Sequence, residues 1–147
     1  MYSISKDMEK MANLITILLL LFTITSAKVM TECELANTLE NAGFSKDKLK
    51  DWVCLAKAVS SLNTTAVGGP KSAGSYEYGI FQINDRYWCD KNQKGKGCTV
   101  KCSDLILEDD IDYSVACARI IYNINGFSEW FGWIRDCKGK ELPPLNC

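Results

Sequence analysis

The sequence predicts one α+β domain in two lobes, a helical lobe and a small antiparallel β lobe, joined by four disulfide bonds. Three observations lead to this fold class. All eight cysteines lie in the last 120 of the 147 residues, enough chain for one domain. Apolar residues recur at helical spacing in several segments, and these flank a stretch rich in glycine and aromatic residues that favours short strands and turns.

Residues 1–27 have the pattern of a secretory signal peptide. Two lysines precede the apolar run 14–22, and small residues end the segment at Ala27, after which we expect cleavage. The residues that follow the run are too polar to extend it to the roughly 20 that a membrane span needs. We therefore expect a secreted, extracellular domain at 28–147.

The eight cysteines indicate a disulfide framework, because an even number in a secreted chain is typical of paired cysteines. A zinc cluster is the competing interpretation. It is disfavoured because the closest pair, Cys98 and Cys102, has three residues between them rather than two. Spacing alone leaves roughly a hundred pairings open.

Composition excludes several kinds of chemistry. The chain has no histidine, which removes Ser-His-Asp and Cys-His nucleophilic sites and leaves carboxylates as the acid/base candidates. Removing residues 1–27 takes two basic and two acidic residues from 17 and 18, leaving 15 and 16. This balance gives no basic surface for nucleic acid or anionic membranes. We expect no cofactor, no metal and a monomer.

The first two helices follow from apolar spacing and turn residues. Residues 32–42 predict a short helix that ends at Gly43. Ser45 is predicted to cap a second helix. Its apolar positions repeat at helical spacing and are Leu49, Trp52, Val53, Ala56 and Val59.

The remaining elements are predicted in chain order. Residues 76–83 follow a glycine-rich stretch, are bounded by Asn84-Asp85 and predict short strands with a turn. The run 102–115 contains a one-turn helix, and the acidic pair at 109–110 precedes the predicted central helix. Residues 129–135 predict another short helix, before an irregular tail that Cys147 fixes.

Taken together, the motifs resemble the chicken-type (c-type) lysozyme and α-lactalbumin family (glycoside hydrolase family 22) over residues 28–147. The motifs that carry the resemblance are CELA at 33–36, WVCLAK at 52–57, YGIFQIN at 78–84, RYWC at 86–89, CAR at 117–119 and the spacing of Trp130, Trp133 and Cys137. The resemblance implies the bridges Cys33–Cys147, Cys54–Cys137, Cys89–Cys102 and Cys98–Cys117. It also implies a cleft that binds a β-1,4-linked amino-sugar polymer.

Glycoside hydrolysis in this family needs two carboxyl groups, an acid that protonates the leaving oxygen and an ionised partner for the oxocarbenium centre. By resemblance the acid is the fifth residue after the second cysteine, which is Val59 here. The second position, before Tyr-Gly-Ile, is aspartate in active members and Glu77 here. Glu77 reaches farther by roughly 1.5 Å, and an error near 1 Å costs on the order of 100-fold. Apart from the resemblance, Val59 fits a core residue and Glu77 a solvated strand residue.

Two other glutamates are weighed as replacement acids. Glu40 falls in the first helix with no reason to face the cleft. Glu129 lies next to Trp130, which matches the tryptophan beside the acid in active members, although neighbours in a helix point in different directions.

The sugar-contacting positions implied by the resemblance are better preserved, and they are Gln82, Asn84, Tyr87, Trp88 and Trp130. Rings stack on pyranose faces, and amides contact N-acetyl groups. The structural alternative is that the amides hold a β turn and the tryptophans belong to the core.

Two further features are local. The acidic residues Glu108, Asp109, Asp110 and Asp112 invite a calcium interpretation, but the calcium-binding members carry carboxylates where this chain has Tyr113 and Ser114. We therefore interpret the acidic cluster as a helix start. Asn63-Thr64-Thr65 is an N-glycosylation sequon.

Three functions follow. The first is a secreted lysozyme-like protein of innate defence that binds peptidoglycan or chitooligosaccharide without efficient hydrolysis. The second is a weakly active lysozyme that uses Glu77 or Glu129. The third is a partner-binding protein, as α-lactalbumin is for a glycosyltransferase, or a sperm-surface factor. Killing by cationic membrane disruption is disfavoured by the neutral charge.

Overall fold

The computed structural model describes residues 8–12 and 28–147. Residues 8–12 are helical, and the predicted apolar run and cleavage point lie outside the described residues. From residue 28 onward the described chain forms two lobes. Its four α-helices are α1 (Glu32–Asn41), α2 (Leu49–Ser60), α3 (Asp112–Asn125) and α4 (Phe131–Asp136). Its five short strands are β1 (Val67–Gly68), β2 (Glu77–Tyr78), β3 (Ile83–Asn84), β4 (Cys89–Asp90) and β5 (Val100–Lys101).

Helix α1 begins at a reciprocal cap that satisfies two backbone donors. The Thr31 hydroxyl accepts from the Glu34 N–H at 3.1 Å, and the Glu34 carboxylate accepts from the Thr31 N–H at 2.6 Å. The helix ends before Gly43, whose φ of 84° lies in the left-handed region that glycine adopts without strain. The predicted end at Gly43 is thus confirmed.

Helix α2 begins one turn later than the predicted cap implies. A 3₁₀ turn, Lys46–Lys48, precedes it, and the Ser45 hydroxyl donates to the Asp47 side chain. A residue that bonds a neighbouring side chain leaves the helix donors to other partners. The helix then runs to Ser60 and buries Trp52, Val53 and Ala56, as the apolar spacing predicts.

Helix α3 begins at Asp112, after the acidic pair at 109–110 as predicted, whereas α4 differs from the sequence prediction at its start. The predicted helix 129–135 is divided by the extended residue Trp130, which ends a 3₁₀ turn (Gly126–Glu129) and precedes α4. The predicted one-turn helix is present as the 3₁₀ segment Cys102–Ile106.

Strands β1, β2 and β3 form an antiparallel sheet with β2 in the middle. Glu77 of β2 faces Gly68 of β1 and Asn84 of β3 in the register. Because each strand has only two residues, this pairing fixes the backbone at Glu77 but orders only a short part of the lobe. The predicted strand-turn segment is confirmed.

Besides the predicted antiparallel sheet, the β lobe contains a second strand pair. Strands β4 and β5 are parallel, with Cys89 facing Val100. Parallel strands need a longer connection than a hairpin does, and the polar loop from 91 to 99 supplies it. The Cys89–Cys102 bridge joins the two ends of this unit.

Asp85 fixes the β lobe from inside. It is 5% exposed, its carboxylate accepts from the Tyr76 N–H at 3.0 Å, and Lys91 lies 3.0 Å away. Burial by itself raises the pKa of Asp85, but the Tyr76 hydrogen bond and the Lys91 ammonium outweigh it and hold that pKa below its usual range.

The four disulfide bonds join the same pairs that the resemblance implies. They are Cys33–Cys147, Cys54–Cys137, Cys89–Cys102 and Cys98–Cys117, with Cα separations of 5.1–6.0 Å. The first two close loops of 114 and 83 residues, which restricts the unfolded chain strongly. The fold class predicted from sequence is therefore confirmed.

The hydrophobic core lies between the helices and reaches under the β lobe through Ile80, Phe81 and Ile83. Trp52 of α2 is at its aromatic centre. Within residues 8–12 and 28–147, none of the helices combines the length and apolar character of a bilayer-spanning segment.

Candidate functional site

A cleft of about 270 Å³ lies between the two lobes. The helical side is formed by the ends of α2 and α3 and by the segment around α4. The other side is formed by β2, β3 and the turn between them, with Lys71 from the loop before β2 and Trp88 from the segment before β4. The lining residues are Ala58, Val59, Lys71, Glu77, Gln82, Ile83, Asn84, Trp88, Ile121, Glu129, Trp130, Phe131, Gly132 and Arg135. The cleft therefore contains both positions that the resemblance marks as catalytic.

Val59 lies in the last turn of α2 and forms part of the cleft wall. Its side chain is half-buried. One face packs against the core, as the interpretation of Val59 as a core residue predicts, and the other face lines the cleft. Gly132 of α4 approaches it so closely that a Cβ there would lie 2.5 Å from Val59 Cγ1. The wall at this point is hydrocarbon, and it offers no proton to a leaving group.

Glu77 extends from β2 into the cleft with a side chain that is 26% exposed. It is therefore not the fully solvated strand residue of the alternative interpretation. Its Oε2 lies 3.0 Å from the Lys71 ammonium.

Two indole rings form the inner walls of the cleft. Trp88 is 8% exposed and Trp130 is 5% exposed. The Trp130 Nε1–H donates to the Phe81 carbonyl at 2.9 Å, and the Trp88 Nε1–H donates to Glu129 Oε1 at 3.1 Å. Buried indoles need such acceptors, and these bonds fix both ring planes.

Of the two replacement acids, only Glu129 lies in the cleft. Its second oxygen, Oε2, accepts from Asn125 Nδ2 at 2.8 Å, so both carboxylate oxygens already accept hydrogen bonds. Glu129 and Trp130 both line the cleft, contrary to the expectation that neighbours diverge, because a 3₁₀ turn and an extended residue replace the helix here. Glu40 is outside the cleft lining, in an ion pair with Lys46 at 2.6 Å.

The predicted sugar-contacting amides also hold the local backbone. Gln82 Nε2 donates to the carbonyls of Ala66 at 3.1 Å and Gly79 at 2.9 Å. Asn84 Oδ1 accepts from the Arg86 N–H at 2.8 Å, an arrangement typical of an Asx turn. Both amides line the cleft. Their geometry thus fits the structural alternative as well as a binding role.

Tyr87 is the one predicted sugar-contacting residue outside the cleft lining. Its ring is 59% exposed, and the Arg86 guanidinium carbon lies 5.4 Å from the ring centroid. The ring remains available from solvent, next in sequence to Trp88.

The acidic cluster has local partners. Asp109 pairs with Lys28 at 3.3 Å, and Asp110 accepts from the Asp112 N–H at 2.8 Å at the start of α3. Within the described part of the chain, no three His, Cys, Asp or Glu side chains group as ligands for a metal ion.

Sequence reasoning missed several cleft residues. Lys71, Phe131, Gly132 and Arg135 all line the cleft. A signal existed for Lys71, which is the single charged residue in the glycine-rich stretch 64–75. Phe131 is 72% exposed, and nothing in the pattern around it distinguishes such a ring from a core residue.

The fold and cleft define a class, the two-lobed proteins with four disulfide bonds and a cleft between the lobes, and sequence comparison places the chain within it. The model of the C-type lysozyme/alpha-lactalbumin family matches residues 28–147, and the chain belongs to this family. It is 45% identical over 120 residues to a lysozyme of Galleria mellonella, covering 81% of this chain and 98% of that protein. It is 43% identical over 123 residues to lysozyme c-1 of Anopheles gambiae, covering 84% of this chain and 86% of that protein.

A solved structure agrees with this assignment. The calcium-binding lysozyme from equine milk superposes with a TM-score of 0.69 at 38% identity, covering 78% of this chain and 92% of that chain. The lysozyme fold is thus shared in both lobes.

Proposed function

We propose that this chain is a secreted lysozyme-like protein that binds peptidoglycan or chitin-type saccharides without efficient hydrolysis and acts in innate defence. The observation that carries the proposal is the composition of the cleft. Two tryptophan walls are present, but the position expected to hold the acid carries Val59.

The loss of hydrolysis follows from the chemistry of the leaving group. A glycosidic oxygen needs a proton as the bond breaks, and general acid catalysis contributes about 10²- to 10⁴-fold. Val59 has no ionisable group. Glu129, which precedes Trp130 in the chain, accepts hydrogen bonds from Trp88 and Asn125 on its two carboxylate oxygens. Glu77 is retained for the second role, with a longer side chain than the family's aspartate.

The binding role rests on the aromatic surfaces. Trp88 and Trp130 line the cleft, and Phe131 adds an exposed ring at its edge. Aromatic faces and a few fixed amides are the usual elements of a small-ligand cleft. Because hydrogen bonds already fix both indoles, these rings are ordered before a saccharide binds. The protein would therefore lose little side-chain entropy on binding.

Binding is tested by titrating a chitooligosaccharide against tryptophan fluorescence. We expect a saturable change at up to millimolar sugar, and we expect Trp88→Phe to lose most of it because this ring lines the cleft. Trp133→Phe is the matched control, since Trp133 stacks on Phe127 and donates to Asp51 instead of lining the cleft. A wild-type chain that gives no response would remove the binding proposal.

A weakly active lysozyme is the second candidate, favoured by the presence of Glu77 and Glu129 in one cleft. The same samples distinguish it from the first. Clearing of a bacterial-wall suspension by the wild type, abolished in Glu77→Gln or Glu129→Gln, would support the enzyme and contradict our proposal.

Secretion and glycosylation are proposed on the sequence pattern, with one supporting observation each. The family match begins at residue 28, directly after the expected cleavage point. Asn63 is half-buried, and its Oδ1 accepts from the Thr65 N–H at 2.9 Å and hydroxyl at 3.0 Å. The sequon thus brings its threonine hydroxyl to the asparagine side chain.

The intact mass of the protein secreted from a eukaryotic host tests both proposals. We expect a chain that starts at Lys28 and carries a mass increment that N-glycan release or Asn63→Gln removes. A chain that retains residues 1–27 would contradict cleavage, and an increment-free wild type would contradict glycosylation.

A further inference from the structure

Lys71 forms an ion pair with Glu77 inside the cleft. Its Nζ lies 3.0 Å from Glu77 Oε2, both residues line the cleft, and the two side chains are 52% and 26% exposed. Lys71 is thus paired with the carboxylate that stands at the family's second catalytic position. The lysine reaches Glu77 from the loop between β1 and β2.

The loop holds Lys71 in place through its own backbone. The Lys71 N–H donates to the Ser75 carbonyl at 2.7 Å, and the Lys71 carbonyl accepts from the Gly74 N–H at 3.0 Å. The β1–β2 register sets Gly68 opposite Glu77, so the loop leaves β1 beside the carboxylate and returns to it. The ion pair therefore closes a short, internally bonded hairpin loop.

A cation at this place opposes the chemistry that the carboxylate would perform. The transition state of glycoside hydrolysis carries positive charge at the anomeric carbon, which a nearby ionised carboxylate stabilises. Stabilisation of this kind depends on the net field of the fixed groups at the reacting centre. The Lys71 ammonium, 3.0 Å from the carboxylate, carries a positive charge that offsets part of that field.

We propose that Lys71 suppresses glycoside hydrolysis independently of Val59, because its positive charge offsets the negative charge of the Glu77 carboxylate. This proposal rests on the proposed function, since it concerns why the same cleft binds saccharide without cleaving it. Restoring an acid at position 59 alone therefore leaves a second block in place. Lys71 acts on the reaction through Glu77 and is a positioning residue in this sense.

The test compares variants that all carry Val59→Glu, with a soluble chitooligosaccharide as the substrate. Because this substrate is uncharged, a change of charge at position 71 does not alter substrate binding through long-range attraction or repulsion. We expect Lys71→Met to raise the cleavage rate of the Val59→Glu protein by about tenfold, because the side chain keeps its length and loses its charge. Lys71→Arg, which keeps the charge, should leave the rate within about twofold, and a further Glu77→Gln should abolish the gain.

Each outcome bears on the proposal. A Lys71→Met rate no higher than that of the Val59→Glu parent overturns it, and so does a Lys71→Arg rate equal to that of Lys71→Met, which would assign the effect to side-chain shape. Thermal melting of every variant verifies that the chains are folded. Fluorescence titration of the same samples separates the two proposals: binding without a rate gain contradicts the role of Lys71 alone, whereas wild-type cleavage or absent wild-type binding contradicts the proposed function.

Discussion

On the proposed function, replacing Val59 with glutamate is expected to raise the glycosidase activity of this protein well above that of the wild-type chain. The new carboxyl group would stand in the last turn of α2, on the cleft wall, with Trp130 among the neighbouring lining residues. Val59 already packs closely against Gly132, since a Cβ at 132 would lie 2.5 Å from Val59 Cγ1, so the longer side chain has to extend toward the open cleft. We expect a rate about 10²-fold above the wild type, the lower end of what general acid catalysis contributes.

The rate should stay at that lower end for two reasons. Glu77 reaches about 1.5 Å farther than an aspartate, and misplacement of this size already costs on the order of 100-fold. The Lys71 ammonium also remains on the carboxylate.

Val59→Gln is the matched control, because glutamine has the size of glutamate and no acidic proton. Release of reducing sugar from a chitooligosaccharide, or clearing of a wall suspension, measures the gain. The contradicting outcome is a glutamate variant that is folded, binds saccharide and still cleaves no faster than the glutamine variant. It would show that an acid at position 59 alone does not restore catalysis in this cleft.

The helical lobe was predictable because its signals are local. The spacing of Trp52, Val53 and Ala56 predicts the buried face of α2, and Gly43 predicts the end of α1. The starts of helices were less predictable. Ser45 has the residue type of a cap, but its hydroxyl bonds to Asp47, and α2 begins after a 3₁₀ turn.

The parallel pairing of β4 and β5 depends on contacts that no local pattern contains. Each strand has only two residues, and their alignment follows from the loop between them and from the Cys89–Cys102 bridge. Two-residue strands carry no detectable alternation, so a periodicity argument has nothing to measure.

Positions 59 and 77 were identified from the family resemblance, through the motifs around Cys54 and YGIFQIN, whereas the side-chain interactions in the cleft were not predictable. Trp88 and Glu129 are 41 residues apart in sequence, and their hydrogen bond crosses from the β lobe to the helical lobe. The ion pair of Lys71 with Glu77 depends on the path of a glycine-rich loop. Each contact gives a glutamate a partner, where its residue type alone had suggested a free carboxylate.

The largest loss of stability from a single substitution is expected for Trp52→Ala, at about 3–5 kcal/mol in the free energy of unfolding. The Trp52 ring is 1% exposed. Five aromatic rings have centroids 4.8–5.6 Å from it, and they are Phe44, Phe81, Tyr122, Phe127 and Trp130. Truncation would leave a cavity that the rings of four separate segments cannot all move to fill.

Denaturant unfolding with the disulfide bonds intact measures this loss, with Phe131→Ala as the control. Phe131 is 72% exposed, so its truncation should change the free energy of unfolding by no more than about 0.5 kcal/mol. The two rings also separate stability from binding. Trp52 supports the Trp130 wall from behind, whereas Phe131 faces the cleft directly. Phe131→Ala should therefore weaken saccharide binding in a fully stable protein, and a Trp52→Ala loss below about 1 kcal/mol would show that the aromatic cluster repacks, contrary to the close packing inferred for it.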